Sequence, residues 1–199
     1  EEGIVKAGSF DIEQGVGVRA VSGEKTAFAY SDDISLDALV DAATATRAIA
    51  AAGRRRKVAI SPAKARRRLY RDDDPLDSLD DTAKVRLLER LEGFARAEDA
   101  RVSQVMAHLA GSWEVVLVAR ADGHLAADVR PLVRVSITVI MEDGGRREQG
   151  SAGGGGRFDY GHFSDELLRD YARAAVHQAR TNLDAAPAPA GTMTVVLGP

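Results

Sequence analysis

Four histidines supply the only imidazoles with which this sequence could bind a metal: His108, His124, His162 and His177. The intervals between them are 16, 38 and 15 residues. A zinc helix of the peptidase type needs two His one turn apart on the same face, with a Glu beside the first. No His here is followed by Glu. The sequence therefore predicts no metal site built within the chain, and we expect His124 in a turn and His177 on a helix.

Nucleophilic and acid–base chemistry has equally little support. The chain has no Cys, and none of its serines lies in a G-x-S-x-G elbow. Asp72, Asp73 and Asp74 are neighbouring carboxylates, but they follow a run of bases, and such a segment is typical of a solvated stretch of mixed charge. No catalytic residue is predicted, and the residues that would bind a substrate stay unknown.

Residues 15–20, Gly-Val-Gly-Val-Arg-Ala, match the dinucleotide pattern G-x-G-x-x-A. That motif requires an apolar strand before it and a helix after it, so that a pyrophosphate can bind at the helix N-terminus. Here residues 9–14 are polar and residues 16–21 continue as a strand. We interpret the glycines as positions where a strand bends or packs closely.

Bases are concentrated in residues 54–71, which makes this segment the best local candidate for phosphate contact. Its one aromatic residue is Tyr70, so a surface for stacking bases is poorly supplied. The acids that follow offset its field within a Debye length, about 8 Å in the cell, and the net charge of the chain is -3. The sequence therefore does not favour a nucleic-acid partner.

Four consecutive glycines, Gly153–Gly156, precede Arg157, Phe158 and Tyr160. Exposed backbone N–H groups in such a run suit an anion or a peptide main chain. The same run is also typical of a flexible loop. Both interpretations stay open at this point, with the arginine and the aromatics favouring a binding role.

The elements that would position these residues predict an α+β fold, with an antiparallel or mixed sheet of hairpins and a meander packed against about three helices. Capping residues and apolar spacing predict the helices, and alternation with turn residues predicts the strands. The predicted helices span 35–51, 82–99 and 164–182. The predicted strands span 14–21, 25–30, 102–109, 113–119, 129–141, 146–151 and 192–197, with an extended connector over 185–190.

Composition is typical of a globular cytoplasmic protein, with 45% hydrophobic and 29% charged residues and no cysteine. No apolar run reaches the roughly 18 residues of a membrane span, and the first residues lack the basic start of a signal peptide. We therefore expect no membrane partner. The chain begins without Met and ends after an apolar run, so we expect residues 1–199 to be a piece of a larger protein.

Several separated blocks of the sequence resemble, in the same order, the TldD branch of the TldD/PmbA family. The similarity covers nearly the whole chain, and residues 53–81 diverge most. The blocks are residues 11–20 (DIEQGVGVRA), 22–26 (SGEKT), Asp122-Gly123, 126–134 (AADVRPLVR), the glycine run with Arg157, 190–193 (AGTM) and 195–198 (VVLG).

The resemblance implies a zinc metallopeptidase that cleaves small or unfolded peptides in the cytoplasm with a partner subunit of the same family. In that family a helix with H-E-x-x-x-H follows the V-V-L-G block, and this sequence stops at Pro199, before that helix. The resemblance therefore implies that residues 1–199 are the amino-terminal domain, with zinc and catalytic groups outside it. Its expected roles are to shield the cleft, contact the partner and pair with an extended peptide by strand addition. The alternative is a non-enzymatic module that modulates DNA gyrase or its inhibitors.

Overall fold

The computed structural model describes residues 3–50, 59 and 69–198. It has three α-helices and two antiparallel sheets, which confirms the predicted α+β class. The chain divides into two compact units. The smaller unit comprises residues 7–61 and 120–124, and the larger one comprises residues 1–6, 62–119 and 125–199.

The smaller unit is a hairpin covered by one helix. Strands β1 (Val16–Ser22) and β2 (Lys25–Ser31) pair antiparallel, and helix α1 spans Leu36–Ala50. Residues 16–20 lie within strand β1 of this hairpin, so the glycine pattern is not followed by the helix that nucleotide binding needs, as we interpreted it. A Cβ on Gly17 would lie 3.1 Å from the ring of Phe28, so this glycine makes room for an aromatic side chain on the opposite strand.

The larger unit contains a three-stranded antiparallel meander. Its strands are β3 (Val102–Ala119), β4 (Leu125–Asp143) and β5 (Arg146–Gly156), with β4 in the centre. Two strands were predicted where β3 runs unbroken, and β4 begins four residues earlier than expected. Strand β3 continues through Gly111, where a Cβ would overlap the hydroxyl of Tyr160. This glycine admits a neighbouring side chain and does not interrupt the strand.

Helices α2 (Asp81–Glu98) and α3 (Asp165–Asp184) cover one face of the meander, as predicted. Asp80 caps α2 by accepting the amide of Ala83 at 2.7 Å, and Ser164 caps α3 by accepting the amide of Leu167 at 3.3 Å. Short 3₁₀ turns lie at Leu76–Ser78 and Tyr160–His162. The largest fully buried apolar side chains shared by the sheet and helices are Leu87, Leu91, Val105, Val133, Val135, Ile137, Val139, Met141, Leu168 and Val176.

The strand predicted over 192–197 is wrong. After α3 the described chain is extended without regular pairing, as expected for the connector at 185–190 but not for the apolar run beyond it. Val196 and Leu197 are 91% and 87% exposed. Apolar alternation signals a strand only if a neighbour can accept its backbone hydrogen bonds, and within the described residues no strand lies beside this segment.

Among the described residues, no helix has both the length and the apolar character required to cross a bilayer.

The carboxylate of Asp99 joins three elements at the end of α2. It accepts hydrogen bonds from the amide of Arg101 at 3.0 Å, from the Arg101 guanidinium at 2.9 and 3.1 Å, and from Nε of Arg180 on α3 at 3.1 Å. Its side chain is 11% exposed. These donors, those of Arg101 above all, hold the pKa of Asp99 well below its usual range. The turn into β3 and the body of α3 are thereby fixed to one charged group.

We expect Asp99→Asn to lower the free energy of unfolding by about 1–3 kcal/mol at neutral pH, because it weakens charge-assisted hydrogen bonds. A carboxylate with a depressed folded-state pKa stabilises above its unfolded pKa of about 4 and loses that contribution as the pH falls through the folded-state value. The difference between the two proteins in urea denaturation should therefore shrink below about pH 4. The matched control is Asp170→Asn, an exposed partner of Arg173, with a change below about 0.5 kcal/mol.

Candidate functional site

The glycine run forms the end of strand β5. Gly153–Gly156 pair with residues 133–136 of β4, so the flexible-loop interpretation is wrong. The physical reason is close packing on both sides of the strand. A Cβ on Gly154 would overlap the hydroxyl of Tyr171 on α3, and one on Gly155 would overlap the carbonyl oxygen of Val133. The run thus fits a narrow space between α3 and β4, and its backbone is largely used in that packing.

Gly150, earlier on β5, makes the closest approach to helix α3. A Cβ there would overlap the carbonyl oxygen of Ala175 and lie 2.5 Å from the amide nitrogen of Ala179. Both atoms are helix backbone, which cannot move aside as a flexible side chain can. The helix therefore rests directly on the strand.

Pro131 and Arg157 mark the point where β5 stops. Pairing between β4 and β5 ends at Val133 opposite Gly156. Two residues further along β4, Pro131 has no N–H to donate to another β5 residue, and its carbonyl accepts Nη1 of Arg157 at 3.2 Å. From Leu125 to Leu132, β4 is therefore paired with β3 alone among the described strands. We call this two-stranded extension, residues 112–119 and 125–132, the distal arm.

Arg157 belongs to a polar cluster beside the distal arm. Its guanidinium lies over the ring of Tyr70, 5.1 Å from the centroid. The hydroxyl of Tyr70 donates to Oδ2 of Asp128 at 2.9 Å, and Nε of Arg130 donates to the same oxygen at 3.0 Å. The hydrogen bond to Asp128 raises the pKa of Tyr70, and the bond from Arg130, then that from Tyr70, lowers the pKa of Asp128. The cluster ties the end of the basic segment to the arm.

The edges of the sheet differ in what covers them. On β5, the amide of Ser151 donates to Gln178 at 2.7 Å and the carbonyl of Gln149 accepts from Asn182 at 2.9 Å, so side chains of α3 occupy this edge. Backbone N–H and C=O groups alternate in direction along a strand. On β5, the N–H and C=O groups of odd-numbered residues therefore point away from β4. From the register, the N–H and C=O groups of odd-numbered residues on β4 point towards β5, and those of odd-numbered residues on β3 point towards the outer edge of β3.

Two stretches of backbone therefore lack a strand partner within the described chain. One is the β4 edge of the distal arm, where the N–H and C=O groups of Leu125, Ala127 and Val129 point away from β3. The other is the outer edge of β3. Unpaired edges of this kind bind extended polypeptide by strand addition.

The four histidines lie on different elements of the described chain. His108 is on β3, His124 follows the β3–β4 turn and His177 is on α3, while the ring of His162 stacks on Phe158 with centroids 3.7 Å apart. His177 lies on a helix, as expected, whereas His124 lies just after the turn, where its carbonyl accepts the amide of Arg120 at 2.9 Å. Within the described residues no three side chains of His, Asp or Glu are grouped so that they could hold a metal ion.

Only the end of the charged segment, from residue 69 onward, and residue 59 lie within the described residues. Arg54–Arg68 of the predicted basic cluster lie outside the described residues. Arg71 and Asp73 are exposed and form an ion pair, in keeping with the predicted solvated stretch. Asp72 and Asp74 also have structural contacts: the Asp72 carbonyl accepts Nε1 of Trp113 at 3.2 Å, and Asp74 accepts the amide of Leu76 at 2.8 Å.

Comparison with known proteins decides the family. The family model described as the PmbA/TldA metallopeptidase central domain matches residues 74–183, more than half of the chain, and the model for domain 1 of the same family matches residues 1–52. The chain belongs to the TldD/PmbA metallopeptidase family. The resemblance seen in the sequence is thereby confirmed. The description of residues 1–199 as one amino-terminal domain that ends before a zinc domain stays a prediction.

Longer TldD relatives match over the whole of this chain. A protein named metalloprotease TldD homolog from Haemophilus influenzae is 47% identical over 205 residues, which cover 100% of this chain and 42% of that protein. A homolog of the same name from Buchnera aphidicola (subspecies Schizaphis graminum) is 41% identical over 207 residues, with the same two coverages. The chain thus spans less than half the length of the curated relatives it matches.

A solved structure shares the fold at low identity. The crystal structure of a proposed modulator of a DNA gyrase from Thermotoga maritima superposes with a TM-score of 0.65 at 13% identity, over 89% of this chain and 39% of that one. At this identity the likeness shows the fold alone.

Sequence reasoning missed the residues that shape the distal arm. Pro131 inside an apolar strand was the available signal, since proline in a sheet is confined to edges and strand ends. The contacts of Tyr70 with Arg157 and Asp128 carry no local signal, because they join residues 87 and 58 positions apart.

Gly150→Ala should lower the free energy of unfolding by at least about 2 kcal/mol, because the added methyl group overlaps helix backbone. Gly93→Ala is the matched control: a Cβ on this helical glycine meets nothing within 4 Å. It should raise stability by about 0.5–1 kcal/mol. Urea denaturation of both variants measures the contrast, and similar effects from the two would contradict the close approach of α3 to β5.

Proposed function

We propose that this chain is the amino-terminal, non-catalytic part of a cytoplasmic zinc metallopeptidase that cleaves small or unfolded peptides together with a partner subunit of its family. Membership of the TldD/PmbA metallopeptidase family carries the proposal. The named relatives are metalloproteases of more than twice this length, which leaves room for the chemistry outside these residues.

The zinc expected of the whole protein does not fit the described residues. A catalytic zinc needs about three protein ligands and an open position for water, and the part of the chain that the structure describes brings no such set together. No step of the reaction is therefore assigned to side chains of this chain. Its contribution would be to hold the peptide.

The β4 edge of the distal arm supports the peptide-holding role. Beyond the end of β5, this edge of β4 presents the backbone donors and acceptors of Leu125, Ala127 and Val129. An extended peptide could pair with this edge of β4 in the position that β5 occupies further along the strand. Alternate side chains of the peptide would then lie beside those of Ala127 and Val129. Main-chain hydrogen bonds give affinity with little dependence on sequence. Folded proteins have their backbone groups already paired, so such an edge favours small or unfolded peptides.

Zinc content and peptide cleavage, measured on this chain and on the complete gene product that contains it, test the catalytic part. We expect bound zinc and cleavage of an unfolded peptide that chelator abolishes in the long form, and neither in residues 1–199. Zinc and cleavage absent from both forms would contradict the proposal. That result would favour the alternative, a non-enzymatic module acting on DNA gyrase or its inhibitors, whose support is the name of the Thermotoga maritima protein with the same fold.

Val129→Pro tests the strand-addition edge. The substitution removes an outward N–H and leaves the ladder to β3 intact, as Pro131 already does two residues away. We expect the affinity for a fluorescein-labelled unstructured peptide, measured by fluorescence anisotropy, to fall roughly tenfold. Val115→Pro removes an outward N–H from the opposite edge of the arm and should leave that affinity unchanged. Equal losses in both variants, with unchanged circular dichroism, would contradict this assignment.

A further inference from the structure

Helix α3 ends without the groups that usually close a helix. Its last turn has no basic residue to complement the negative end of the helix dipole. The common ending, a glycine in the left-handed conformation, is replaced by Ala185, which is extended with φ -67° and ψ 134°. The carbonyl groups at this end therefore need donors from solvent or from another element.

Arg146, at the start of strand β5, supplies such donors. Its Nη2 donates to the carbonyl oxygen of Asn182 at 3.2 Å and to that of Ala185 at 3.3 Å. Asn182 lies in the last turn of α3, whereas Ala185 is the first residue beyond the helix. A helix cap needs only helix carbonyls. The bond to Ala185 therefore has a further effect, which is to hold the extended chain where it leaves the helix.

The position of Arg146 is itself closely set. Arg146 follows the β4–β5 turn, in which Gly144 and Gly145 have φ of 55° and 82°. A two-residue hairpin turn of the most favoured type requires positive φ at both positions. On the other side of the turn, Asp143 accepts Nη1 of Arg101 at 3.1 Å. A fixed turn thus holds the guanidinium against the end of α3.

The connector that leaves the helix is stiff. Its residues, 185–190, read Ala-Ala-Pro-Ala-Pro-Ala. The ring of each proline fixes φ, and the residue before a proline is excluded from the helical region, so residues 186–189 are all restricted. Such a segment adopts polyproline II geometry, with about 3.1 Å per residue and about 19 Å over six residues. It ends at Gly191, where φ is 149°, in the region that favours glycine.

We propose that Arg146 is a positioning residue: it sets the direction in which the connector leaves helix α3, and so the place of the following chain relative to the sheet. A stiff spacer transmits a direction when its base is held, and Arg146 holds the first carbonyl of the connector. The inference rests on the proposed function in one respect, that the chain beyond the connector leads to the catalytic groups. Those groups would then keep a fixed distance from the β4 edge that holds the peptide.

A distance measurement on this chain tests the role of Arg146. The sequence has no cysteine, so Ala174→Cys and Ala190→Cys place two spin labels at unique sites. The first site is exposed on α3 and the second is the end of the connector. Double electron–electron resonance should give one narrow distance distribution, and we expect Arg146→Ala to widen it at least about twofold, because the base of the spacer is released.

Two further variants separate the stiffness of the connector from the charge at its base. Replacing both Pro187 and Pro189 with Gly makes the connector a flexible coil, with a mean span of about 14 Å in place of about 19 Å. The distribution should widen and its mean should shorten. Arg147→Ala is the matched control, since it removes the same charge from a neighbouring residue that contacts Gln104 and Glu142. It should leave the distribution unchanged. Circular dichroism confirms that each variant is folded.

Cleavage of an unfolded peptide by the complete gene product tests the consequence. We expect Arg146→Ala and the Pro187→Gly, Pro189→Gly double variant to lower kcat at least about tenfold with KM within about twofold, because displaced catalytic groups slow the reaction while the peptide-holding edge is unaltered. Arg147→Ala should change neither constant. Loss of a helix cap alone would lower stability without this split between kcat and KM.

Three results would overturn the inference. They are a distribution in Arg146→Ala as narrow as in the unaltered chain, a broad distribution in the unaltered chain, and a widened distribution with unchanged kcat. The distance measurement requires neither zinc nor peptide. A complete gene product without zinc or cleavage therefore contradicts the proposed function, whereas the distances alone decide whether Arg146 sets the direction of the connector.

Discussion

The direct contact between helix α3 and strand β5 is the constraint on which the larger unit depends. With glycine at positions 150 and 154, the helix backbone and the Tyr171 hydroxyl occupy the space of the missing side chains. This proximity lets Gln178 and Asn182 reach the strand edge and brings Leu168 and Val176 into the core. Asp99 then fixes the end of α2 to the same helix through Arg180. The covered face of the meander follows from these contacts.

Pro131 and Arg157 divide the sheet into parts with different roles. On one side, three strands and two helices form a closed core. On the other, a two-stranded arm has exposed apolar side chains, and neither of its edges has a strand partner among the described residues. A proline without a donor and an arginine on its carbonyl make this boundary sharp. The stability of the unit is thus concentrated away from the surfaces assigned to binding.

Local chemistry made much of the fold predictable. Ser164 caps helix α3 at the start of the predicted span, and Gly123 and Gly144 adopt the positive φ that their turns require. Three features were not predictable from local pattern. Gly111 continues β3 and Gly153–Gly156 continue β5 because of side chains distant in sequence, and residues 192–197 lack the neighbour that their alternation requires. Which backbone groups are left at the candidate binding edges depends on the register between strands. The spacing of residues within a single strand does not reveal that register.

Unequal edges limit how such sheets can grow. If β3 and β5 were both bare, the edge of one molecule could join the opposite edge of the next, and head-to-tail addition would continue into fibres. The side-chain amides of Gln178 and Asn182 occupy backbone groups on β5, which blocks that mode of growth. Two carboxamides on a helix thus act against aggregation, and within the described chain they leave extension of the sheet to the β4 edge of the distal arm and the outer edge of β3.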